Sequence, residues 1–112
     1  MKQEWFDTLD AGITVCDEKG IIKYMNEKAA DNLNKYGGFK LLGSNLLDCH
    51  SEASRKIIQE MLKNASENIY TTEKNGIKEF ICQKPIFENG KFAGIIEITI
   101  VLPGEMPHHI RD

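Results

Sequence analysis

Cys49 and His50 stand side by side in "LLGSNLLDCHSEASRKII", residues 41 to 58, directly before an amphipathic run. A thiol next to an imidazole is equipment for nucleophilic catalysis, for redox sensing, or for holding a metal or haem. A catalytic couple needs the imidazole turned onto the sulfur and a third group orienting the imidazole. Adjacency does not supply this: side chains of neighbouring residues diverge on an extended backbone and lie about 100° apart on a helix. A helix N-terminus does lower a thiol's pKa, which makes Cys49 a candidate redox-sensitive thiol. In the plainer reading Cys49 fills core space and His50 bonds a loop carbonyl. His108 and His109 could join the pair around a metal, but two histidines in a tail beside Pro107 are ordinarily solvated. Cys16 and Cys82 lack C-x-x-C spacing, so reduced thiols are expected rather than a disulfide framework or a zinc knuckle. Glu97 interrupts "GIIEITIVL", where strand alternation sets it opposite Ile96, Ile98 and Ile100. With those isoleucines turned inward it becomes an outward carboxylate.

The elements that position these residues belong to one domain. A chain of 112 residues has room for a single core. Hydrophobic residues at 41%, charged residues at 28% and a net charge of −3 give no basic excess to neutralise phosphates, so nucleic acid is not an expected partner. No apolar run reaches the length of about 20 residues that spans a bilayer, and "MKQEWFDTLDAG" lacks the basic-then-apolar order of a signal peptide. No membrane partner is expected, and the location expected is cytoplasmic.

Punctuation then divides the chain. Trp5, Phe6 and Leu9 are spaced as the apolar face of a short helix ended by Gly12. "ITVCDEKGIIKYMN" reads as a hairpin whose turn uses Gly20 at positive φ. Asn26 is a preferred N-cap for the helix "EKAADNLNKY", which Gly37 and Gly38 stop. Ser51 caps "EASRKIIQEMLKNASEN", with Ile57, Ile58, Met61, Leu62 and Ala65 as its apolar stripe. Three strands follow, "IYTTEK", "IKEFICQKPIF" and "KFAGIIEITIVL", separated by Asn75-Gly76 and Asn89-Gly90, both suited to tight hairpins. The order ββ, helices, βββ gives an α+β fold with an antiparallel sheet and its helices on one face.

Over residues 8 to 102 the chain resembles a PAS domain. The motifs are Asn26 with Ala29-Ala30, similar to the N-x-x-A-A helix entry of that family, Leu42-Gly43 before the central helix, and the closing "PIFENGKFAGIIEITI". The "DCH" before the central helix is similar to that of small bacterial stand-alone PAS proteins. The resemblance implies a helical cap at 1–12, a PAS core at 13–102 and a tail at 103–112, in a sensor or signalling module and not an enzyme. Its five-stranded sheet and overlying helices would enclose a pocket for a small molecule. With no output domain attached, the signal would pass through dimerisation or a separate signalling partner. Flavin photochemistry does not fit, because the position of the adduct-forming cysteine holds Leu46. Haem-binding members ligate iron from a histidine on the central helix; here that helix has none and His50 precedes it. The cofactor therefore stays unnamed, with a haem- or thiol-based redox sensor as a weaker alternative.

Within that fold the expected ligand site comprises Cys49 and His50 at the border, with Met25, Phe80, Ile96 and Ile98 as an apolar wall. Free N–H groups at the helix mouth would favour an anionic ligand. Trp5, Phe6 and Leu9 are expected to form a homodimer interface, and Asn26 and Ser51 to act as structural caps. Replacing Asn26 by Ala would then cost on the order of 1 kcal/mol. The competing reading is an interaction or dimerisation module with a filled core.

Overall fold

The computed structural model describes residues 4–112, the side chain of Cys49 excepted. Five strands, β1 (Gly12–Asp17), β2 (Ile22–Met25), β3 (Asn68–Lys74), β4 (Ile77–Glu88) and β5 (Lys91–Val101), form one antiparallel sheet in the order β2-β1-β5-β4-β3. The first and last strands thus lie side by side near its middle. Two α-helices, α1 (Glu27–Asn32) and α2 (Glu52–Asn64), and 3-10 turns at Gly38–Leu41 and Leu46–Cys49 occupy the long connection from β2 to β3.

The turns follow from residue type. Asn75 and Gly76 have φ of 53° and 78°, Asn89 and Gly90 of 51° and 78°. Two successive positive angles make the primed turn whose twist matches a hairpin. At the β1–β2 corner Asp17 Oδ1 accepts from the N–H groups of Lys19 and Ile21, at 2.9 and 3.0 Å. On β5, Gly94 has φ of 149°, and a Cβ there would lie 1.9 Å from the Cys16 carbonyl oxygen. Only glycine lets β5 approach β1 so closely.

Both caps are in place. Ser51 Oγ accepts from Ser54 N–H at 3.4 Å. Asn26 does more than cap. Its Oδ1 accepts from Ala29 N–H at 3.0 Å and from Ile13 N–H at 2.9 Å, while its Nδ2 donates to the carbonyls of Phe6 and Ala11 at 2.9 and 2.8 Å. The residue is 1% exposed, so one amide ties the N-terminal segment, β1 and α1 together.

The apolar core falls into two clusters. Ile22, Met25, Ala29, Ala30 and Leu41 pack where β2 meets α1, and Cys16, Met61 and Ile95 pack between the sheet and α2. Leu46 lies against both.

Three local expectations are corrected. The N-terminal helix is a single 3-10 turn, Trp5–Asp7, closed by Glu4 N–H donating to Asp7 Oδ2 at 3.0 Å. Gly12 does not end it but opens β1, where its lack of a side chain admits Thr99 and Asn32. In α2 only Ile58 and Met61 are fully buried; Ile57 is 48% exposed, and Ala65 is the left-handed cap that ends the helix.

Candidate functional site

Strand alternation determines what the helices face. On β1 the inward residues are Gly12, Thr14 and Cys16; β5 pairs Thr99, Glu97 and Ile95 with them. β4 continues those rows with Ile81, Gln83 and Pro85. The middle of the inner face is therefore polar: Thr14, Glu97 and Gln83 stand in one row, where a filled core would hold aliphatic side chains. Thr14 and Gln83 of that row are buried and no buried side-chain polar atom among the described residues lacks a partner, while space remains beside the row beneath the helices.

That space has two lobes of about 240 and 210 Å³. His50, Ser54, Ile57, Ile58, Asn68, Tyr70 and Gln83 line the first, beneath α2. The second runs toward α1 past Thr14, Asn32, Ile81, Glu79, Glu97 and Thr99. His50 and Tyr70 border both. Together the lobes come within the roughly 300–1,000 Å³ of small-ligand pockets.

The polar groups are ordered among themselves. Asn68 Nδ2 donates to Gln83 Oε1 at 3.3 Å, and Gln83 Nε2 donates to Glu97 Oε2 at 2.6 Å. Gln83 is 6% exposed. Its amide has one orientation, since Asn68 fixes the acceptor end and Glu97 the donor end. His50 Nδ1 lies 2.8 Å from the Leu46 carbonyl oxygen, the bond to a loop carbonyl that a helix lead-in would make. Burial first, then the charges of Glu97 and Glu79, push the Tyr70 hydroxyl above its usual range, so it stays protonated at neutral pH. Burial also pushes the Cys16 thiol up, against a weaker lowering by a backbone hydrogen bond from Ile95. A thiol so placed is a poor nucleophile.

Of the expected site residues, the structure brings His50 to the cavity and sends most of the others elsewhere. Ile96 and Ile98 lie on the outer face of β5, and Phe80, paired with Ile100, lies on the outer face of β4. Glu97 occupies the inward position assumed for those isoleucines. Met25 is sealed in the cluster around α1 and lines neither lobe. The side chain of Cys49 lies outside the described residues. The lining does not favour the anionic ligand expected: Glu79 and Glu97 present carboxylates to the cavity, and no Lys or Arg lines it among the described residues. The residues missed were Asn68, Tyr70, Gln83 and Glu97. Their signal was a polar residue at the centre of each of two apolar strands.

Trp5, 72% exposed, and Leu9 lie open on the surface, whereas Phe6 is half-buried. Phe6 stacks edge-on against both Trp5 and Tyr24, with ring centroids 5.1 and 5.4 Å apart. The Tyr24 hydroxyl donates to Asp7 Oδ1 at 2.6 Å, fixing the N-terminal turn to β2. His108 and His109 are exposed in the tail, and no group of three or more potential metal ligands occurs among the described residues.

A five-stranded antiparallel sheet flanked by helices on one face, with a cavity between them, defines the architectural class, a small α+β module. A family model described as the PAS fold matches residues 6–71, more than half of the chain, and the chain belongs to that family. No curated protein matches it. Among solved structures it is similar to the PAS domain of BvgS from Bordetella pertussis, at 16% identity and a TM-score of 0.66, covering 87% of this chain and 80% of that one. It is similar also to the Aer2 receptor from Vibrio cholerae, a dual PAS-heme oxygen sensor, at 15% identity and a TM-score of 0.57, covering 83% and 95%. A third likeness is to the sensor region of a sensor histidine kinase, at 17% identity and a TM-score of 0.61. This chain is covered there to 80% and spans 38% of that sensor region. At these identities the likeness is one of fold. No helix among the described residues is long and apolar enough to cross a membrane.

Proposed function

We propose that this chain is a sensory PAS module that binds a small molecule between α2 and the inner face of the sheet, and that it works in the cytoplasm. The observation that carries the reading is the polar row Thr14, Glu97 and Gln83 facing a two-lobed cavity. A module built only for packing gains nothing from turning Ile96 and Ile98 outward and Glu97 inward. Polar side chains held in a half-enclosed apolar frame are what a ligand site requires. The sensor-kinase and receptor context of the structural relatives supports a signalling role.

The other face of the sheet supports output through pairing. Ile13, Val15, Ile96, Ile98, Ile100, Phe80 and Ile69 share it, with Ile69 and Ile100 more than two fifths exposed. The open faces of Trp5 and Leu9 add apolar surface at the N-terminus, and patches of this extent ordinarily belong to interfaces. A second copy of the chain, or a signalling partner docked in its place, would cover them. A purely structural module is the weaker reading because the inner face is not filled. Haem is weaker because α2 lacks a histidine and the cavity carries two carboxylates.

Native mass spectrometry of freshly purified protein, paired with backbone amide spectra during titration with small heterocyclic fragments, tests the reading. Binding is expected to move amides of α2, β4 and β5. Ser54→Trp, which fills the first lobe, is expected to abolish those shifts while the fold is kept. Fragment shifts that persist unchanged in folded Ser54→Trp would refute the cavity as the binding site.

A further inference from the structure

Glu97 sits in the polar row at the middle of the cavity with one of its two carboxylate oxygens engaged. Its Oε2 accepts from Gln83. Its Oε1 has no hydrogen bond or ion pair among the described residues, whose salt bridges all lie elsewhere. Glu79 adds a second carboxylate to the same lobe. Glu97 is half-buried and its free oxygen is open to the lobe rather than buried without a partner, so an occupant that displaces solvent from it must bring positive charge or paired N–H donors in return. Gln83 cannot turn to relieve it, because Asn68 holds the other end of that amide.

We propose that the ligand is a small organic cation of the ammonium or amidinium class, its charged head on Glu97 Oε1 and its apolar body between Ile58, Ile81 and the ring of Tyr70. This rests on the cavity reading above and names the chemistry of the molecule it takes. An aromatic ring beside the carboxylate favours a cation a second time, through the negative face of its π-system. Planar amidinium suits the site best, since two parallel N–H groups match carboxylate geometry as a guanidinium does. Carboxylates and phosphates are rejected by like charge from Glu97 and Glu79.

Benzamidinium, benzamide and benzoate share one shape and differ in charge, so they separate this proposal from the one beneath it. Each is titrated into isotope-labelled protein at neutral pH, with affinity read from inner-face amides. Benzamidinium is expected to bind tightest and benzoate weakest. Glu97→Gln is expected to lower benzamidinium affinity on the order of 10- to 100-fold and bring it level with benzamide. Benzamide or benzoate binding the wild type as tightly as benzamidinium would overturn the cation proposal and leave the cavity standing. If none of the three moves an inner-face amide, both the proposal and the cavity reading fall. Should Glu97→Gln not fold, the side-chain NH₂ resonances of Gln83 in the wild type decide. Benzamidinium is expected to move them more than benzamide at equal occupancy, and equal movement overturns the proposal.

Discussion

Asn26→Ala should cost far more than the loss of a helix cap. A cap alone is worth about 1 kcal/mol. This side chain also serves Ile13 N–H and the carbonyls of Phe6 and Ala11, and it is 1% exposed. Truncation orphans Ala29 N–H and the Ala11 carbonyl in buried surroundings, at about 1–3 kcal/mol each. The two part-buried partners lose less, because water reaches them. The total comes to roughly 3–5 kcal/mol, a large share of the roughly 6–17 kcal/mol expected for a chain of this length. At an m-value near 1.5 kcal/mol/M, the urea midpoint should fall by roughly 2–3 M. Asn26→Asp separates the contributions: it keeps the acceptor for Ala29 and Ile13 but sets carboxylate oxygen against two carbonyls. It should be nearly as damaging at neutral pH and recover in part on acidification, when the protonated carboxyl can donate. A midpoint shift in Asn26→Ala worth under about 1 kcal/mol would refute the reasoning and reduce the residue to an ordinary cap.

Tyr24, raised to about 12 by burial and by its bond to Asp7, favours its protonated form in the folded state. Its contribution to stability is therefore complete below the ordinary tyrosine value and lost as pH rises through about 12, and Tyr24→Phe should flatten that alkaline step in unfolding curves. Gly94→Ala places a Cβ against the Cys16 carbonyl and should destabilise the β1–β5 pairing by several kcal/mol, read from thermal unfolding; normal stability would show that β5 can move aside. Trp5→Ala, at an exposed position, should change stability by less than about 0.5 kcal/mol, and combined with Leu9→Ala it should shift light scattering from dimer toward monomer. A protein already monomeric at tens of micromolar would remove the pairing proposal.

The element order, both caps and both Asn-Gly turns were legible because each rests on local chemistry: side-chain oxygens beside free N–H groups and residues that tolerate positive φ. The site was not, for two reasons. Alternation divides β5 into two faces without saying which is inward, and hydrophobicity alone selects Ile96 and Ile98. The pairing of Gln83 with Glu97 also depends on an irregularity at Ile86/Phe87. Counted from the Asn89-Gly90 turn without that bulge, Gln83 would face Ile96, and no polar row would form. A one-residue bulge leaves no trace in local propensity. His50, which borders the cavity, stood out in the sequence because its position before a capped helix is itself a local feature.

Leu46 gives the cavity a mechanical connection. Its side chain packs against both core clusters, its N–H donates to the Gly20 carbonyl at 2.7 Å, and its own carbonyl holds His50. An occupant that turns the imidazole pulls on the residue that seats both clusters and latches the β1–β2 corner. The lever is one residue long and has little backlash, because a close-packed side chain shifts its neighbours when it moves. Leu46→Ala leaves the backbone bonds to Gly20 and His50 in place and removes only the packing on the two clusters, so a ligand could still enter and meet Glu97 while the clusters would no longer register its arrival.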